Sequence, residues 1–230
     1  MSNLASAYDH QGKYSDAEDL YKQCLDKRKV TLGENHPDTL ATMSNVATAY
    51  NRQGKHNDAE VLFKQCLDKM KEVLAENHPT TLRTMNNLAL TYNCRGKYRD
   101  AEVLYKQCLD KQKILLGESH PNTLSTMNNL ARTYNSRGRY RDAEVLYMQC
   151  LDKKKLLLGE SHPDTLGNMS NLAVTYDRQG KHRDAEVLYM QCLDKMKLLL
   201  GESHPDTLNT MNNLANAYRH QGRYRDAEIL

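Results

Sequence analysis

Two kinds of side chain able to act in catalysis or metal binding recur every 42 residues along this 230-residue chain. One is a cysteine, found at Cys24, Cys66, Cys108, Cys150 and Cys192. The other is a histidine that precedes a proline and follows a glutamate by two positions, in the pairs Glu34/His36, Glu76/His78, Glu118/His120, Glu160/His162 and Glu202/His204. Metal and catalytic sites need such groups to converge on one point, whereas evenly spread copies favour a role in repeated turns. Since motifs for nucleophiles, metalloproteases and phosphate loops are also missing, we predict no catalytic residue, no metal site, no cofactor and no enzymatic activity.

The periodic cysteines are predicted to be unpaired. Copies of a helical repeat stack about 10 Å apart, whereas a disulfide requires Cα atoms within about 7 Å. We therefore interpret these residues as small apolar core residues in a reducing cytoplasm. Cys94 lies outside the periodic set and is expected to be the most reactive thiol.

Composition narrows the classes of partner. Charged residues make up 27% of the chain, yet the formal net charge is only +3, without the basic excess typical of nucleic-acid binders. No window approaches the roughly 18 apolar residues of a membrane span, and the first residues lack the apolar run of a signal peptide. We predict a cytoplasmic protein that binds neither nucleic acid nor membrane.

Each 42-residue unit predicts two helices. In residues 36–77, the first is expected from Pro37 to about Asn51 and the second from about Lys55 to Leu74. Proline suits the first position of a helix, and Gly54 supplies the left-handed residue that often ends one. Apolar residues recur at intervals of three and four, which gives each helix one buried stripe. The pattern predicts an all-α solenoid of about eleven helices.

The repeat divides the chain into units that make one solenoid domain over residues 1–230. About 5.5 repeats are predicted: a partial one at 1–35, complete ones at 36–77, 78–119, 120–161 and 162–203, and a partial one at 204–230. Neither terminal repeat has the polar cap that solenoids use for solubility. We therefore expect a fragment of a longer array, and end-to-end self-association through the uncapped repeats.

The repeat also resembles a known family. Its NLA-x-x-Y segment, followed by QGK or RGK-Y-x-DAE-x-LY, is similar to the tetratricopeptide repeat (TPR). The long second helix and the joining LGE-x-HP-D-T-L resemble the 42-residue repeats of kinesin light chain. The resemblance implies a right-handed superhelix whose concave wall is built mainly from the first helices, and peptide binding in that groove.

One invariant residue has no evident packing or turn role: the asparagine just before the apolar residue of the first helix. In TPR scaffolds the matching asparagine faces the groove and bonds the backbone of an extended peptide, which its amide can do as donor and acceptor. The alternative is that each asparagine bonds the neighbouring repeat and fixes the stacking. Both interpretations stay open for Asn45, Asn87, Asn129, Asn171 and Asn213.

Other positions of the same wall vary between repeats. Such variation is expected from side-chain specificity, and equally from drift on a solvated face. The resemblance makes these positions candidates for peptide binding: Arg52, Arg83, Leu90, Arg132, Val174 and Arg178.

The sequence therefore predicts a protein–protein interaction scaffold that holds an extended peptide. Basic turns such as Arg95-Gly96-Lys97 would attract an acidic one, although they would equally form a solvated edge. The alternative is a structural spacer or self-associating array with an empty groove, which the near identity of the repeats favours.

Overall fold

The computed structural model describes residues 2–229, and every element in that range is an α-helix. The helices are α1 (Ser2–His10), α2 (Tyr14–Leu32), α3 (Pro37–Arg52), α4 (His56–Leu74), α5 (Pro79–Cys94), α6 (Tyr98–Leu116), α7 (Pro121–Ser136), α8 (Tyr140–Leu158), α9 (Pro163–Arg178), α10 (His182–Leu200), α11 (Pro205–His220) and α12 (Tyr224–Glu228). The all-α prediction is confirmed. The described range holds twelve helices rather than about eleven, because the last five-residue segment is also helical. Within it, no helix combines the length and apolar character needed to cross a bilayer.

The chain forms two compact units, residues 1–115 and 116–230. In the first unit, α1 to α5 pack each against the next, and α3 also contacts α5. In the second unit, α7 to α12 pack each against the next, and α9 contacts both α7 and α11. In both units, therefore, the first helices of neighbouring repeats lie side by side.

The histidine of each joining segment caps the first helix. His78 has an extended backbone (φ −65°, ψ 139°), and its Nδ1 accepts a hydrogen bond from the Thr80 amide at 3.2 Å. Pro79 occupies the first helical position, where a missing N–H costs nothing. The same cap is present at His36, His120, His162 and His204. The recurring Glu-x-His-Pro segment is therefore turn chemistry, as the sequence indicated.

Glycine ends the first helix of each repeat. Gly54 has φ 77°, and the amide of Lys55 donates to the Tyr50 carbonyl at 2.9 Å. Helix α3 ends at Arg52 and α4 begins at His56, each one residue beyond its predicted position. Only glycine adopts this backbone cheaply.

Ala75 adopts a backbone that elsewhere in the chain belongs to glycine. It ends α4 with φ 72° and ψ 158°, whereas the equivalent Gly159 has φ 90° and ψ 164°. This region is essentially restricted to glycine. We expect Ala75→Gly to raise the free energy of unfolding by about 1 kcal/mol, measured by urea denaturation with circular dichroism. The matched Gly159→Ala should lower it by a similar amount, and an unchanged midpoint in both variants would contradict the argument.

The core is built between repeats. Phe63 of α4 is fully buried in a cluster with Ala47 and Ala59 of its own repeat and Leu82 and Leu88 of the next. The small alanines lie where the first and second helices of one repeat pack together, because a larger side chain there would overpack the contact. Each apolar stripe is thus covered by the following repeat.

The periodic cysteines belong to this core. The buried Cys66 thiol donates to the Leu40 carbonyl at 3.1 Å, and Cys192 bonds Leu166 in the same way at 3.3 Å. Burial raises the pKa of the Cys66 thiol to about 12, so it stays protonated. All five periodic cysteines are buried thiols outside any disulfide, as the sequence predicted, whereas Cys94 is exposed.

Candidate functional site

Three asparagines meet on the first-helix face of the second unit. Asn128 of α7 accepts from the side-chain amides of Asn168 and Asn171 of α9, at 3.3 and 3.4 Å from its Oδ1. We call these residues the asparagine cluster. Amide groups both donate and accept, so the cluster matches the hydrogen-bonding groups of a peptide backbone.

Asn168 is the unusual member of the cluster. It is 1% exposed, and its Oδ1 has no hydrogen-bond partner. The four equivalent positions carry threonine, whose hydroxyl at Thr42, Thr84 and Thr210 donates to the carbonyl four residues earlier. A buried acceptor without a donor costs about 1–3 kcal/mol, so a ligand N–H that reached Asn168 would recover that free energy. Sequence reasoning missed this residue, although its departure from the threonine pattern was visible.

A cavity of about 400 Å³ opens beside the cluster. Its lining includes Asn128, Asn168, Asn171 and Gly167 of the second unit, together with Asn209 of α11. Gly167 stands at one of the variable wall positions, and no atom lies within 4 Å of where its Cβ would be. The volume of this cavity falls in the range of ligand-binding sites. Because Gly167 has no side chain, the cavity is not filled at this position.

We expect Gly167→Ala to raise the free energy of unfolding by about 1 kcal/mol, because glycine inside a helix is less favourable than alanine and the added methyl meets open space. Urea denaturation checks this. The matched Gly180→Ala, at φ 78°, should instead destabilise the protein. Destabilisation by both changes would show that α9 has no room at residue 167.

The predicted asparagines are half-buried on the first helices. Asn87 donates to the Thr48 hydroxyl of the preceding first helix at 3.4 Å, whereas Asn171 donates to Asn128, at a different repeat position of the preceding first helix, also at 3.4 Å. At these two positions the amide therefore bonds the neighbouring repeat. Both distances are long for a hydrogen bond, so these bonds are weak ones to exchange for a peptide. The remaining predicted positions, likewise half-buried, are Asn45, Asn129 and Asn213.

The variable wall positions are of two kinds. Leu90 and Val174 are half-buried, and Val174 packs against the core of the second unit. Arg83, Arg132 and Arg178 are exposed. Burial raises the pKa of Tyr147, and the positive charges of Arg132 and Arg178 oppose this rise. The second unit therefore carries an exposed cation at two of the variable positions, Arg132 and Arg178.

Arg52 has a structural partner: its guanidinium lies 2.6 Å from the carboxylate of Asp9 in the preceding repeat. It therefore joins two repeats, and its charge is paired within the protein.

The basic turns hold neighbouring repeats together. Glu60 is 5% exposed and accepts from Lys64 at 2.7 Å and from Lys97 at 2.9 Å, and Arg95 is its third partner. Burial raises the pKa of the Glu60 carboxyl, but the hydrogen bonds from Lys64, Lys97 and Arg95 outweigh it and lower that pKa to about 2. The equivalent Glu18 has a pKa lowered to about 2 by the same balance. These turn cations are thus engaged inside the protein, and the buried glutamate is a residue that sequence analysis did not single out.

Exposed apolar residues recur near the ends of the second helices, and we call each unit's set its apolar ridge. In the second unit it comprises Leu156 and Leu157 of α8 and Leu198 and Leu199 of α10, with Leu156 and Leu198 88% and 90% exposed. The corresponding residues of the first unit are Val30, Val73, Ile114 and Leu115. The sequence indicates this exposure through the run Leu156-Leu157-Leu158. Successive helical residues point about 100° apart, so one buried stripe cannot cover all three leucines.

Comparison with known proteins places the chain in a family. A family model described as tetratricopeptide repeat matches residues 1–72, 44–114 and 188–230, and a second of the same description matches 123–164 and 165–206. Among curated proteins, a nucleotide-binding leucine-rich repeat (NLR)-like protein of Hyaloscypha variabilis is 50% identical over 43 residues, which are 19% of this chain. The aligned part spans 4% of that relative's length.

Solved structures agree. The crystal structure of a putative kinesin light chain of Podosopora anserina with nearly identical TPR-like repeats is 28% identical, with a TM-score of 0.75 over 86% of this chain and 93% of that one. BtubC from P. vanneervenii has a TM-score of 0.78 at 21% identity, over 94% of this chain and 87% of that one, which supports the fold.

Repeats of this type generally act as non-catalytic scaffolds for protein–protein interaction. The matched models cover most of the chain, and the solved structures share its helix-pair architecture. The chain therefore belongs to the tetratricopeptide repeat family, with repeats of the kinesin light chain-like kind.

Proposed function

We propose that the protein is an interaction scaffold that binds an extended peptide on the first-helix face, with the asparagine cluster as its main contact in the second unit. The observation that carries the proposal is the unpartnered, buried Oδ1 of Asn168 beside an open cavity. A backbone N–H of the peptide would donate to this cluster, and a backbone carbonyl would accept from Asn171. These hydrogen bonds to the peptide would replace the weak ones of 3.3 and 3.4 Å within the cluster.

We further propose that the peptide carries an acidic residue opposite Arg132 and Arg178. Both cations are exposed, and carboxylates pair well with guanidinium groups. The cavity itself is lined by charges of both signs, namely Asp164, Asp206 and Lys154.

The test uses a peptide selected by display on the whole chain, with affinity measured by fluorescence anisotropy. Asn168→Thr restores the residue of the other repeats and removes the free acceptor, and Asn171→Ala removes a donor. Each variant is expected to weaken binding by about fivefold or more, since a net hydrogen bond is worth about 1 kcal/mol. The control is Asn57→Ala, at an exposed residue of α4. Unchanged affinity in folded Asn168→Thr and Asn171→Ala would refute the site.

The variant Arg132→Glu tests the preference for an acidic peptide residue separately from peptide binding at the asparagine cluster. It should weaken a peptide with a central aspartate and leave the matching asparagine peptide little changed, with a difference that shrinks at high salt. Equal effects on the two peptides would contradict the acidic preference while leaving the asparagine cluster in place.

A second candidate function is self-association, and the apolar ridge favours it. Large exposed apolar surfaces often mark protein interaction sites, and Leu156 and Leu198, at the same position of successive repeats, are almost fully exposed. If copies of the chain associate through the ridge, sedimentation velocity should show a concentration-dependent mass that Leu156→Lys with Leu198→Lys abolishes. A monomer at all concentrations would exclude this function.

A further inference from the structure

Three side chains at helix ends form a cluster separate from the asparagine cluster. Asp177 lies near the end of α9, His182 begins α10 and His220 ends α11. Oδ1 of Asp177 is 2.7 Å from Nδ1 of His182 and 3.0 Å from Nδ1 of His220. One ligand atom of each residue lies within 4.8 Å of the others. We propose that this Asp177 cluster binds one Zn²⁺ ion through the carboxylate and the two Nδ1 atoms.

The donor set suits zinc. Two imidazoles and a carboxylate are ordinary zinc ligands, and a fourth, open position would hold water. Bonds of about 2.0–2.2 Å place the ligand atoms of a tetrahedral site roughly 3.3 Å apart. The carboxylate would therefore move from the imidazoles by a few tenths of an ångström, and the two rings would approach each other.

The histidine protons have a place to go. Each Nδ1 lies at hydrogen-bonding distance from the carboxylate of Asp177, which fits a ring protonated at Nδ1. Transfer of that proton to Nε2 within each neutral ring frees the Nδ1 lone pair for the metal. The ion then takes the place of two protons between the same three side chains.

Comparison of the repeats separates this cluster from ordinary turn bonding. His56 and Asn51 stand at the repeat positions of His182 and Asp177, and they are hydrogen-bonded at 2.7 Å. Arg52 and Asp9 stand at the positions of His220 and Asp177, and they form an ion pair at 2.6 Å. Each bond of the cluster therefore has a purely structural counterpart in another repeat. Among the described residues, there is one place where these three repeat positions hold an aspartate and two histidines together. The residues equivalent to His220 in the other repeats are His10, Arg52, Cys94, Ser136 and Arg178.

Access and charge also permit an ion. Asp177 and His182 are half-buried, whereas His220 is exposed, so the site opens to solvent. Lys181, next to His182, directs its ammonium to Glu144 at 3.0 Å and is thereby partly neutralised. A bound ion would join α9 and α10 to α11, and so fix the last complete repeat to the partial one after it.

The experiment is titration calorimetry of the full chain with ZnCl₂, without an affinity tag and in a Cys94→Ser background that removes the exposed thiol. We expect one ion per chain. His220→Arg should weaken binding by about 100-fold or more, since even residues that only support a ligand are worth 10- to 100-fold. This variant keeps the ion pair with Asp177, as Arg52 does with Asp9, and its thermal melting without metal should match the parent.

Two further measurements make the proposal falsifiable. Co²⁺ should give the visible absorption of a tetrahedral site, lost in Asp177→Asn and retained in the control His10→Ser, an exposed histidine at the same repeat position as His220. Zn²⁺ should also slow amide hydrogen exchange in α11. Absence of binding, or binding that His220→Arg and Asp177→Asn leave unchanged, would overturn the proposal.

Discussion

Replacement of Phe63 by alanine is expected to lower the free energy of unfolding by about 3–5 kcal/mol. The ring is fully buried and contacts residues of two repeats, including Ala59 of its own helix and Leu82 of the next repeat. Its loss removes the apolar contact and leaves a cavity between repeats, which a rigid pair of helices fills poorly. Because the contact joins repeats, the change should also uncouple residues 36–77 from residues 78–115.

Urea denaturation followed by circular dichroism gives the stability, and hydrogen exchange gives the coupling. The matched control is Val61→Ala, two residues away on the same helix and 57% exposed, which should change stability by no more than about 0.5 kcal/mol. A loss below 1 kcal/mol for Phe63→Ala, or an equal loss for both variants, would mean that the inter-repeat core is not where the structure places it.

Replacement of Glu60 by glutamine is expected to cost about 2 kcal/mol at neutral pH. The pKa of Glu60 falls from an ordinary 4.5 to about 2, which corresponds to about 3 kcal/mol. Its cationic partners are partly exposed, which reduces that figure by solvent screening. A carboxyl whose folded pKa is depressed stabilises the protein above its unfolded pKa, and this contribution is lost as pH falls through the folded pKa.

The contribution of Glu60 to stability should therefore decrease as the pH is lowered. The parent should lose the Glu60 contribution between about pH 4.5 and pH 2, and the stability difference between parent and Glu60→Gln should shrink over the same window. The control is Glu76→Gln, since Glu76 also pairs with a lysine of the next repeat but is exposed. A difference between parent and Glu60→Gln that stayed constant down to pH 2 would contradict the role given to this carboxylate.

Local rules predicted most of the secondary structure. Pro37 and Gly54 mark where a helix starts and stops through their own backbone preferences, so the predicted bounds of α3 and α4 differ from the observed ones by about one residue. The burial of Cys66 and Phe63 followed from their place in an apolar stripe. The cap made by His78 was missed as a bond, although the turn was predicted, because the sequence does not fix which atom a side chain bonds.

The candidate sites were predicted less completely. Asn171 was identified through its repetition, but the free acceptor of Asn168 arises from the one repeat that departs from threonine. The Asp177 cluster escaped prediction because its histidines belong to two different repeats and stand alone in the sequence. Repetition reveals what every repeat shares, whereas these features depend on what a single repeat changes.

By itself, the sequence determined the repeat, the helix pairs and the residues of each buried stripe, because these follow from backbone preferences and helical periodicity within about 42 residues. Only the tertiary structure decided which side chains of neighbouring repeats meet, as Glu60 meets Lys97 and Asp177 meets His220. It also decided that Leu156 and Leu198 face solvent. The physical reason is that contacts between residues some 35 to 43 positions apart depend on the rotation between stacked repeats and on side-chain direction.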